Sequence, residues 1–103
     1  MIEFRIEGHK VICIFKAEIV ASNIPEMRTI LTSYLDNEQS WRELVFDCEN
    51  VHSLDSIGIN FIVGAFKKAD NENSAFKMIG CNDTIVKVIK LFRLDEKFPV
   101  EPG

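Results

Sequence analysis

Leu44-Val45-Phe46-Asp47-Cys48, then the polar stretch Glu49–Asp55, then Ser56-Ile57-Gly58-Ile59-Asn60-Phe61-Ile62, decide the fold of this chain. The first segment is short, mostly apolar and β-branched or aromatic, which suits an interior strand. Beyond it the apolar period changes to that of a helix. Gly58, Phe61, Ile62, Ala65, Phe66 and Ala69 recur on one face of a helix running from about Ser56 to Ala69. Asp70-Asn71-Glu72-Asn73 closes it, and Ala75-Phe76-Lys77-Met78-Ile79 reads as the next strand. Strand, helix and strand in this order form a β-α-β unit, which places its two strands parallel in one sheet.

The same reading extends outward. Ile2-Glu3-Phe4-Arg5-Ile6-Glu7 alternates strictly, with Ile2, Phe4 and Ile6 on one face. Gly8-His9-Lys10 punctuates it, and Val11-Ile12-Cys13-Ile14-Phe15 follows as a more central strand, so the pair reads as a hairpin. A helix opens near Asn23, where Asn23 and Glu26 have capping-box spacing and Pro25 falls in the first turn. Its inward residues are Met27, Ile30, Leu31, Tyr34 and Leu35, and Asp36–Ser40 is the loop after it. Gly80 punctuates the chain after Ile79. A third helix from about Asp83 turns Ile85, Val86, Ile89 and Phe92 inward, and Phe98-Pro99-Val100 is the last short strand. The expected fold is α/β: one domain over residues 1–103, a mixed and mostly parallel sheet with helices packed on it, in the order β-β-α-β-α-β-α-β.

Composition narrows the function. A chain of 103 residues with 47% hydrophobic and 27% charged residues has ordinary globular make-up. Its net charge of −4 repels phosphate backbones and anionic lipid, so neither nucleic acid nor membrane is an expected partner. No apolar run approaches the ~20 residues of a membrane span, and Met1–Arg5 lacks the pattern of a secretory leader, so the expected location is the cytoplasm. Cys13, Cys48 and Cys81 form no C-x-x-C pair and read as structural thiols. No residue set has the spacing of a metal site, and no glycine-rich phosphate loop is present, so no metal and no cofactor is expected.

His52, Ser53, Asp55 and Ser56 crowd together and raise the question of a hydrolytic triad. Triad members converge from different elements upon an oxyanion hole, and there is no G-x-S-x-G elbow. The expected chain is therefore not an enzyme. Ser56 reads instead as the cap of the second helix, with Gly58 letting that helix and the sheet approach closely. The N-terminus of a helix carries partial positive charge and tolerates a phosphate on Ser56. Asp55 beside it would repel that phosphate, and the loop holds no Lys or Arg to clamp it. Ile57 lies well off the inward stripe, and Ile59 and Val63 lie on its other flank; this pattern suits either a docking surface or an Ile57 that packs under the loop before the fourth strand.

Leu54-Asp55-Ser56-Ile57-Gly58-Ile59 after the strand Leu44–Cys48 resembles the phosphorylation motif of STAS domains, the bacterial anti-sigma factor antagonists and their relatives. Ala17–Asn23 sits where that family has Gly-x-Leu-Asp before its first helix. Lys77–Cys81 and Leu91-Phe92-Arg93-Leu94 are similar to its C-terminal half. The resemblance implies a regulatory binding protein with Ser56 as phosphoacceptor and Asp55, Ile57 and Gly58 around it. It implies a docking surface of Ile57, Ile59, Val20, Ser22 and Asn23. The implied partners are an anti-sigma factor acting as a serine kinase of histidine-kinase-like ATPase fold, and a metal-dependent serine phosphatase. The unphosphorylated form would bind the kinase and free its target; phosphorylation would weaken the complex. Ala17, Val20 and the bulky Ile57 depart from the usual pattern. An alternative implied by the same resemblance is a constitutive scaffold or subunit, as in lipid transporters or stressosome-like assemblies.

Overall fold

A computed structural model describes residues 1–38 and 40–103. The elements run β1 (Ile2–Glu7), β2 (Lys10–Phe15), α1 (Ile24–Asn37), β3 (Glu43–Asp47), α2 (Ser56–Asn71), β4 (Ala75–Cys81), α3 (Asp83–Leu91), a short 3-10 turn (Leu94–Glu96) and β5 (Val100–Pro102). Of the loop expected at Asp36–Ser40, Gln39 lies outside the described residues, and Asp36 and Asn37 belong to the last turn of α1. The sheet order is β1-β2-β3-β4-β5. β1 and β2 are antiparallel and the other neighbours are parallel, which is the expected mixed α/β arrangement. Gly8, with φ +63, opens the two-residue turn of the hairpin, where a positive φ matches the twist of the flanking strands.

One face of the sheet carries Val11, Cys13, Phe15, Leu44, Phe46, Phe76 and Met78. The buried residues of all three helices join them in a single core. Ile12 and Val45 point to the other face and are also buried, beneath a ladder of ion pairs from Lys10 to Glu43 to Lys77 to Glu101. Phe46 packs edge-on to Phe15 and Phe76, with ring centroids 4.7 Å and 5.0 Å away. Cys13, Cys48 and Cys81 are all free and buried, and burial pushes the Cys13 thiol far above its ordinary range. Among the described residues no helix is long and apolar enough to cross a membrane.

Several local expectations are corrected. Asn23 does not close a capping box: its backbone is helical (φ −100, ψ −15), and its side-chain amide donates to the Glu18 carbonyl instead. A cap oxygen reaches the first-turn amides from an extended backbone, which Asn23 lacks. Gly80 lies inside β4 rather than after it. With φ +67 it forms a bulge, and a Cβ there would come within 3.1 Å of the Glu49 nitrogen. The last strand is Val100–Pro102 instead of Phe98–Val100, because Phe98 turns into the core before pairing begins. Phe92 is not inward. It caps α3 at 50% exposure, because the stripe toward the core ends with Ile89.

Candidate functional site

Two loops meet at the C-terminal ends of the parallel strands. One runs from β2 to α1 and the other from β3 to α2, and a parallel bridge between Ile19 and Leu54 joins them. Three polar side chains complete the joint. The Glu18 carboxylate accepts from the backbone N–H groups of His52 and Ser53, both at 2.7 Å. The Asp55 carboxylate accepts from the N–H of Ala21 and of Gly58, both at 2.8 Å. Asn23 secures Glu18 by donating to its carbonyl at 2.9 Å. The four bonds to the Glu18 and Asp55 carboxylates are charge-assisted and stronger than neutral ones. The bonds from Ala21 first, then Gly58, hold the Asp55 carboxyl below its usual range.

This arrangement corrects the assignment of the cap. Asp55, with extended backbone, is the N-cap of α2 and takes the Gly58 amide. Ser56 is the first helical residue and is solvent exposed, with its hydroxyl spared that task. Both Asp55 oxygens accept from backbone amides, and among the described residues no hydrogen bond joins the His52 ring to Asp55 or Ser56, so the structure does not bring the three together as a triad.

Gly58 is buried under the neighbouring loop. A Cβ built there would collide with the Ile19 carbonyl oxygen and come within 2.9 Å of Leu54. The close approach expected at Gly58, of helix to sheet, is corrected: it is made to the loop that precedes α1. Ile57 stands out at 43% exposure, beside Ser56. Ile59 is corrected: it is 4% exposed and belongs to the core, so it cannot contribute to a surface. Ser22 is exposed, while Val20 and Asn23 are half-buried. The structure thus gathers Val20, Ser22, Asn23, Asp55, Ser56 and Ile57 around one joint and removes Ile59 from it.

Glu18 is the residue that sequence reading missed. It was visible only as an acidic residue in a loop. Its partners lie 34 and 35 positions away, and no local spacing announces that pairing.

Comparison with known proteins agrees with the fold. The family model described as "STAS domain" matches residues 2–103. The anti-sigma-B factor antagonist of Staphylococcus aureus (strain NCTC 8325 / PS 47) is 24% identical over 86 residues, covering 84% of this chain and 78% of that protein. An anti-sigma factor antagonist from Mycobacterium paratuberculosis superposes with a TM-score of 0.85 at 20% identity, covering all of this chain and 86% of the other. The Bacillus cell fate determinant SpoIIAA in its phosphorylated form superposes with a TM-score of 0.73 at 12% identity, covering 97% of this chain and 90% of the other.

Proposed function

The chain belongs to the STAS domain family, and from that premise we propose that it is a phosphorylation-gated antagonist of an anti-sigma factor. In this reading residues 1–103 form one regulatory domain that works in the cytoplasm. The unphosphorylated form binds an anti-sigma factor that is also a serine kinase of histidine-kinase-like ATPase fold, and so releases the kinase's target. Transfer of one phosphate to Ser56 weakens the complex, and a metal-dependent serine phosphatase reverses the change.

The observation that carries this reading is the division of labour between Asp55 and Ser56. Asp55 caps α2 and ties the two loops together, while Ser56 stays exposed and free of the cap. A phosphate on Ser56 would add about −1.5 to −2 charges at neutral pH. It would sit at a helix N-terminus, which favours it, and beside the Asp55 carboxylate, which opposes it. With these local effects opposed, the added charge acts mainly on whatever docks against Ile57, Val20, Ser22 and Asn23. The similarity to an anti-sigma-B factor antagonist and to a protein solved in phosphorylated form supports the choice of partner and modification.

The test is an intact-mass measurement after incubation with ATP and a lysate of the source organism, with phosphatases inhibited. Wild type should gain one phosphate and Ser56→Ala none. Ser56→Asp should keep its melting temperature and lose the partner that wild type retains. Absence of phosphate from wild type, or its presence in Ser56→Ala, would sink the proposal.

A further inference from the structure

The hairpin leaves β1 at the edge of the sheet, with β2 as its one neighbouring strand among the described residues. Lys16 donates to the Met1 carbonyl at 2.7 Å, and the register pairs Ile2 with Phe15 through Glu7 with Lys10. In an antiparallel pair, hydrogen-bonded and non-bonded positions alternate. The odd-numbered residues of β1 therefore bond inward to β2, and the backbone groups of Ile2, Phe4 and Ile6 face out. Such an edge is usually blunted by proline, a bulge, an inward charge or a row of charged side chains. β1 has no proline, bulge or inward charge, and the charges on its outer face, Glu3, Arg5 and Glu7, alternate in sign. Its core-side residues Ile2, Phe4 and Ile6 are all apolar, and Ile6 is 46% exposed. Phe4 stacks on Tyr34 at 3.8 Å and forms, with Thr29, Ile30 and Ser33, the wall of an open groove of about 500 Å³.

We propose that two copies of this chain pair through β1, antiparallel about a two-fold axis at Phe4, to make one continuous sheet. The sequence selects this register. Opposed residues must share a face, so the allowed pairings differ by steps of two. With Phe4 opposite Phe4, Ile2 faces Ile6 and Glu3 faces Arg5, each contact occurring twice by symmetry. One step in either direction sets like charges against each other: Glu3 against Glu3, or Arg5 against Arg5 with Glu3 against Glu7. Only the central register opposes unlike charges and also brings the outward backbone groups of Ile2, Phe4 and Ile6 into line. The apolar ladder then continues across the axis and covers Ile6. None of the residues around Ser56 lies on β1.

Sedimentation equilibrium measures the association directly. Wild type should reach twice the 11.8 kDa chain mass with rising concentration. Arg5→Glu and Glu3→Arg, each alone, place like charges opposite each other twice and should weaken the dimer by about tenfold or more. The surface ion pairs they break, Arg5 with Glu7 and Lys16 with Glu3, are exposed, so both variants should melt close to wild type. An equimolar mixture of the two variants should associate again, since each glutamate then faces an arginine. A wild type that stays monomeric, single variants that dimerise as wild type does, or a mixture that fails to associate would each overturn the proposal.

Discussion

Each oxygen of the Asp55 carboxylate holds a different backbone amide, one from Ala21 and one from Gly58. A single side chain therefore caps α2 and joins two loops. Both bonds favour the charged form, so the folded state lowers the carboxyl's pKa. The sign of the linkage follows. A depressed carboxyl contributes stability above its unfolded pKa and loses that contribution as pH falls through the folded value. Asparagine keeps one acceptor but turns a donor toward the Ala21 amide. Asp55→Asn should thus unfold at lower temperature than wild type at pH 7, and the gap should close as pH falls below the usual carboxylate range. Melting curves across pH test this, and a gap that stays constant down to pH 2 would refute it. The presence of Asp55 in the motif was legible in the sequence. Its role as cap was not, because Ser56 is an equally good capping type and only the extended backbone at Asp55 settles which of them bonds the helix.

Elements are local in sequence, and their joints are not. The alternation of Ile2–Glu7 and the helical spacing of Gly58–Ala69 each belong to one element, and both agree with the structure. The joint between the β2–α1 and β3–α2 loops depends on residues far apart in the chain. Glu18 is central to it, holding the amides of His52 and Ser53. Glu18→Ala should speed hydrogen exchange at those two amides while the strand amides of β3 and β4 keep their protection. Unchanged exchange at His52 and Ser53 would show that the loop is held by other means. The burial of Ile59 has a similar origin. Periodicity says on which side of the helix a residue lies, but not which loop folds over that side. Phe92 is the converse case: its helical phase agrees with Ile85 and Ile89, yet it is half exposed at the helix end.

Across the whole molecule, an aromatic chain runs through the core from Phe15 and Phe61 by way of Phe46 and Phe76 to Phe66 and Phe98. Phe46 touches three of these rings and is fully buried. Phe46→Ala should cost about 3–5 kcal/mol, a large part of the ~5–15 kcal/mol that holds a domain folded. Urea unfolding measures the loss, and a cost below about 1 kcal/mol would mean that the core refills the cavity. The sequence by itself determined the order of the elements, the mixed sheet and the position of Ser56 at a helix start. These follow from hydrophobic period and turn residues, which act over a few positions. Only the tertiary structure decided that Asp55 holds the cap, that Glu18 binds the neighbouring loop, and that Ile57 is on the surface while Ile59 is in the core. Those outcomes depend on which distant segment arrives beside each residue, and that is set by the packing of the whole chain.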